Sequence, residues 1–168
     1  MNRKNFLFKS AIGVAGIIAA PLSGIAKNPN ESIDPLPPDK VKEFVTAGHT
    51  DFEKTKQMLV ETPGLLYATW DWGGGDFETA LEGAGHMGNK EIANYLIEKG
   101  VRTNLYVLTM LGKTQIVKSY LEIYPDYLMA RGPHGLTLLH HAQKGGDDAK
   151  ELYDYFLSKG LKDTWMKL

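Results

Sequence analysis

Five histidines, His49, His86, His134, His140 and His141, are the side chains of this chain best suited to metal or proton chemistry. A metal site needs three or four ligands converging on one point, and sequence usually announces it through ligand pairs spaced to share a helix face. No His-x-x-x-His pair and no cysteine is present. His140 and His141 are neighbours, which a helix turns about 100° apart, too far for easy joint chelation. Spacing therefore predicts no metal and no cofactor. Glu82 and His86 stand four residues apart and could couple a carboxylate to an imidazole on one helix face, a weak acid–base hint. Beyond residue 26 the serines are Ser32, Ser119 and Ser158, none in a Gly-x-Ser-x-Gly setting, so nucleophilic catalysis finds no candidate. Gly73, Gly74 and Gly75 do not make a phosphate loop, because no Gly-Lys-Ser/Thr follows them and no strand precedes them. The residues favour a binding protein over an enzyme. A small-ligand site or enzyme centred on Glu82 and His86 is the alternative.

Several elements must position these residues. Arg3, Lys4 and Lys9 form a basic start, residues 11–22 are apolar without a charge, and Gly24-Ile25-Ala26 offers small residues for cleavage. That run is too short to span a bilayer and has the order of a signal peptide, so residues 1–26 are expected to be removed on export, to the periplasm or outside the cell. Arg3-Lys4-Asn5-Phe6-Leu7-Phe8-Lys9 resembles the twin-arginine export signal, with Lys4 in place of the second arginine. The competing reading is a buried N-terminal helix. Residues 27–38 carry Pro29, Pro35, Pro37 and Pro38 and are expected to form an extended linker. The domain follows over 39–164, with 165–168 as a tail. The 168-residue chain has a formal charge of −1, and losing three basic residues with the leader leaves −4. A mildly acidic domain without a basic stripe is expected to bind no nucleic acid and to be monomeric, and nothing after the leader suggests membrane attachment.

The domain repeats. Gly88-Asn89-Lys90-Glu91-Ile92 and its continuation to Ile97 align with the stretch from Gly112 to Leu121, Ile92 matching Ile116. Ile92 and Ile116 are thus expected to be buried at equivalent levels. The segment from Glu151 to Gly160 repeats the end of the first, and the segment from Thr50 to Leu59 is a more degenerate copy. Each is preceded by a second short helix, expected at 41–47, 79–86, 105–111 and 136–144. Gly135-Leu136-Thr137-Leu138-Leu139-His140-His141-Ala142 reproduces the Gly-x-Thr-Pro-Leu-His-x-Ala signature of ankyrin repeats, with Leu138 for the proline. Thr79-Ala80-Leu81-Glu82-Gly83-Ala84 is a second copy, with Ala80 for the proline and Glu82 for the histidine. Residues 40–164 therefore resemble an ankyrin-repeat protein. The resemblance implies an all-α solenoid of about four helix pairs, held by one continuous core, that recognises another protein. Thr79 with Glu82, and Thr50 with Glu53, can close capping boxes at helix starts.

The resemblance also assigns positions. Trp70-Asp71-Trp72-Gly73-Gly74-Gly75-Asp76 falls where the family carries a projecting finger, so Trp70 and Trp72 would anchor a partner, with Asp71, Asp76 and Glu78 as an acidic rim. The alternative folds the indoles back as local core. His86 and Met87, with Met110 one repeat later, would face the concave groove, and His134 would sit on a later finger. Ordinary core is the competing reading for Met110. The resemblance gives His140 a structural role, bonded to its own turn.

Overall fold

Residues 34–167 are described by the computed structural model. The expected leader and most of the expected linker lie outside them. The domain is mostly helical, as four successive helix pairs: α1 (Pro38–Thr50) with α2 (Phe52–Glu61), α3 (Ala80–Met87) with α4 (Lys90–Glu98), α5 (Leu105–Met110) with α6 (Thr114–Ile123), and α7 (Leu138–Gly145) with α8 (Lys150–Ser158). The leading helices stack in order, α1 on α3, α3 on α5 and α5 on α7.

Local chemistry sets the helix ends. Thr79 Oγ accepts from the Glu82 amide while the Glu82 carboxylate accepts from the Thr79 amide, the expected capping box. Asn89 and Asn104 cap α4 and α5 through their side-chain oxygens. Thr50 does not cap α2. Asp51 does so, accepting from the Lys54 amide at 3.0 Å, because Thr50 is still the last residue of α1 and Asp51 holds the cap position of α2. Pro38, placed in the linker by sequence, opens α1, where its missing N–H costs nothing.

Two different connections join the pairs. Residues 99–104 link α4 to α5 directly, whereas the first-to-second connection holds an antiparallel hairpin of β1 (Thr69–Asp71) and β2 (Phe77–Thr79). Its register sets Trp70 opposite Glu78. The third-to-fourth connection carries the turn Gly132-Pro133-His134-Gly135. Because the intervening link is short, the second and fourth fingers meet: the His134 amide donates to Asp76 Oδ1 at 2.8 Å. The C-terminal residues do not form a free tail. Trp165 bridges Leu136, its indole N–H donates to the His134 carbonyl at 2.8 Å, and the Met166 amide donates to Gly135 O at 2.8 Å.

The buried side chains form two clusters where one continuous core was expected. Phe44, Leu65, Leu81, Ile92, Leu96 and Met110 belong to the first, and Val117, Leu138, Leu152, Phe156 and Leu161 to the second. Helix α5 is the seam, giving Val107 and Met110 to one side and Leu105 and Leu108 to the other. The equivalence of Ile92 and Ile116 fails: Ile92 is 0% exposed and Ile116 is 56% exposed. In α4 the first buried position comes three residues after the cap Asn89, and in α6 four residues after Lys113, at Val117. One residue turns the buried face by about 100°. Ile92→Val should therefore cost about 1 kcal/mol in a denaturant melt, while Ile116→Val should cost nothing measurable.

Candidate metal centre

Glu78 is the anchor of the site. It lies on β2, and the pleat that makes Phe77 exposed turns Glu78 inward, where it is 0% exposed. A buried carboxylate is costly unless partnered, and four side chains from other segments surround it. His86 Nε2, from the last turn of α3, lies 2.8 Å from Oε1. His49 Nε2, near the end of α1, lies 3.3 Å from Oε2, and His134 Nε2, from the fourth finger, 3.4 Å from Oε2. The Trp72 indole N–H donates to Oε2 at 2.7 Å.

Close helix approach delivers His49. A Cβ on Gly83 would lie 2.7 Å from His49 Nδ1, and one on Gly48 would lie 2.6 Å from Ala80, so both glycines let α1 seat directly on α3. His134 is delivered at a cost of another kind: it alone among the described non-glycine residues has positive φ, at 59°, a conformation disfavoured by its Cβ.

The protons on these rings decide what the site can hold. His49 Nδ1–H donates to the Val45 carbonyl at 2.9 Å, and His134 Nδ1–H donates to Asp76 Oδ2 at 2.7 Å. A carbonyl and an ionised carboxylate only accept, so each neutral ring carries its proton on Nδ1 and turns the Nε2 lone pair toward Glu78. Lone pair would then face carboxylate oxygen unless positive charge lies between them, supplied by a second proton on the ring or by a metal ion. His86 Nε2 and Glu78 Oε1 are buried and in charge contact, yet neither makes a hydrogen bond, so the ring N–H axis is not aligned with the oxygen. Three imidazole nitrogens and one carboxylate converge, with all four ligand atoms within 4.8 Å of one another.

The imidazoles around Glu78 keep its carboxylate ionised despite burial. Burial alone would raise the Glu78 carboxyl, but its interactions with His49 and His86 outweigh burial and hold it at about 2. The Glu78 contact, opposed by partial burial, raises His49 above its ordinary value. In a tetrahedral shell with bonds of about 2.1 Å, ligand atoms sit about 3.4 Å apart. The distances from His49 and His134 Nε2 to Glu78 Oε2, 3.3 and 3.4 Å, fall near that edge length, while His86 Nε2 lies 2.8 Å from the other oxygen, Oε1.

The sequence-expected sites fare differently. Glu82 and His86 do not couple: the Glu82 carboxylate is engaged by Thr79 and by the Asn104 amide, and burial raises its carboxyl, while His86 turns to Glu78. Glu78 is not a rim residue but the centre. Asp71 is exposed, and its carboxylate accepts from the Gly73 and Gly75 amides, which organises the glycine turn. Trp70 is half-buried with Lys42 above its ring. Trp72 is 37% exposed and Met87 43% exposed, whereas Met110 is 0% exposed and cannot meet a partner. His140 bonds through Nε2 to the His86 carbonyl of the second pair, not to its own turn. Pairwise spacing could not reveal the site, because its four ligands come from α1, β2, α3 and the fourth finger. No known protein family, curated protein or solved structure matches this chain.

Proposed function

We propose that this chain is a binding protein whose central ligand is one divalent transition-metal ion, held by His49, Glu78, His86 and His134. The observation that carries this reading is the aim of the ring lone pairs: Nδ1 of His49 and of His134 is spent on a carbonyl or carboxylate, and Nε2 is directed at a buried carboxylate. Hydrogen bonding of the far ring nitrogen to such acceptors is the usual outer support of metal-binding imidazoles. Three imidazoles with one carboxylate suit zinc, and also copper, nickel or iron, over magnesium or calcium, which prefer all-oxygen shells. The domain reads as an ankyrin-type stack. Supporting that are the capping box at Thr79, the left-handed Gly88 after α3, and the His140 bond that ties α7 to α3.

Cobalt(II) tests this directly, since its visible bands report ligand number and geometry. Titration of the chelator-treated protein should saturate at one equivalent with the intense bands of a four-coordinate nitrogen–oxygen site, and His86→Ala should abolish them. A spectrum that remains that of the hydrated ion would contradict the proposal.

A second reading concerns protein recognition by the same fingers. It is favoured by Trp72, which keeps 37% of its surface exposed although its N–H is committed to Glu78. Metal and partner would then share one face.

A further inference from the structure

We infer that Asp76 is a positioning residue for the centre, one that fixes the tautomer and orientation of His134 so that its Nε2 is available as a ligand. The inference rests on the metal reading above. Asp76 lies on the second finger and His134 on the fourth, and the two meet because the link between α4 and α5 is short. Both carboxylate oxygens are used on the same residue. Oδ1 accepts from the His134 backbone amide at 2.8 Å and Oδ2 from Nδ1–H at 2.7 Å. The first bond holds a backbone at φ 59° that a residue with a Cβ disfavours, and the second leaves the ring one neutral form, with its proton on Nδ1.

Among the four ligands His134 most needs such support. Its side chain is 32% exposed, against 19% for His49, 11% for His86 and 0% for Glu78. It sits on a single short 3-10 turn, Pro133–Gly135, and not on an α-helix or a strand. Its carbonyl is held from the other side by the Trp165 indole N–H at 2.8 Å. Asp76 is therefore the contact that turns the ring, while Trp165 only fixes the backbone that carries it.

Asp76→Asn separates ring control from loop folding. Asparagine can keep its oxygen on the His134 amide, which places its NH2 group against Nδ1, and the ring must then accept at Nδ1 and move its proton to Nε2. Turning the amide over would instead set a donor against the backbone N–H and lose that bond, so the first arrangement, with the ring tautomer reversed, is the favoured one. Two readouts are needed. Histidine ring 15N–1H correlation spectra of the metal-free protein at alkaline pH should show the His134 proton on Nδ1 in the wild type and on Nε2 in Asp76→Asn. Zinc affinity, measured by competition with a chromophoric chelator, should fall on the order of 10- to 100-fold in the variant, with the metal-free melting temperature unchanged. A variant that binds zinc as tightly as the wild type with the proton still on Nδ1 would overturn the inference. If wild-type protein takes up no zinc, the metal reading fails, and the tautomer spectrum still decides whether Asp76 sets the ring. A large drop in the metal-free melting temperature would assign Asp76 to folding of the fingers instead.

Discussion

Excess zinc should raise the melting temperature of the chelator-treated protein by about 10 °C, and Glu78→Gln should remove the rise. The reasoning is linkage. A ligand that binds only the folded chain stabilises it by about 2.7 kcal/mol at a free concentration 100 times its dissociation constant. For a domain of this size each kcal/mol moves the midpoint by roughly 3–5 °C. The ligands come from α1, β2, α3 and the fourth finger, so an unfolded chain cannot present them together, and binding free energy becomes folding free energy. Glutamine keeps the shape of Glu78 and can still accept from the Trp72 indole, but it lacks the charge that offsets desolvation of the ion. The same rise in wild type and Glu78→Gln would locate the zinc elsewhere.

Acid should destabilise the metal-free domain through His141, whose effect can be isolated. The ring is 1% exposed and its Nδ1–H donates to the Thr137 carbonyl at 2.8 Å. Burial drives its pKa down to about 3, an effect only partly opposed by that hydrogen bond. The unfolded chain takes up the proton near the ordinary 6.5 and the folded one does not. The stabilisation is therefore whole above pH 6.5 and is lost as pH falls from there toward 3. At about 1.4 kcal/mol per pH unit, the loss between pH 7 and pH 4 is roughly 3 kcal/mol. His141→Asn retains a donor for Thr137 but cannot titrate, so its stability should change less with pH by that amount. Glu78 also loses stabilisation in acid, because its folded carboxyl, at about 2, lies below the ordinary value. That loss is common to both proteins and cancels in the comparison. Parallel stability curves for wild type and His141→Asn would refute the assignment.

What was legible in the sequence is what is local. The Thr79 and Glu82 capping box and the repeated polar turn and helix from Gly88 and from Gly112 each act within a few residues. Repetition could therefore be read as helix pairs. Register was already harder: α4 and α6 begin at equivalent positions, yet the buried face starts one residue later in α6, at Val117, and leaves Ile116 in solvent. The candidate metal centre was out of reach for a sharper reason. Glu78 reads as a polar finger residue until a three-residue strand pairing sets it opposite Trp70 and turns it inward. His134 joins it only because the fourth finger folds over the second, with Asp76 between them. No spacing rule contains that contact. Neighbours along the chain announce no metal site, whereas the four candidate ligands are neighbours across the stack.

The central claim is that one cation sits among three particular imidazoles and one particular carboxylate, and anomalous scattering tests it most directly. Crystals grown with one equivalent of zinc should show a single strong anomalous peak above the zinc edge. It should lie about 2.0–2.2 Å from Nε2 of His49, His86 and His134 and from a Glu78 carboxylate oxygen, with Asp76 still on His134 Nδ1. A map without a peak among these four side chains, or with zinc bound only at surface carboxylates, would contradict the account.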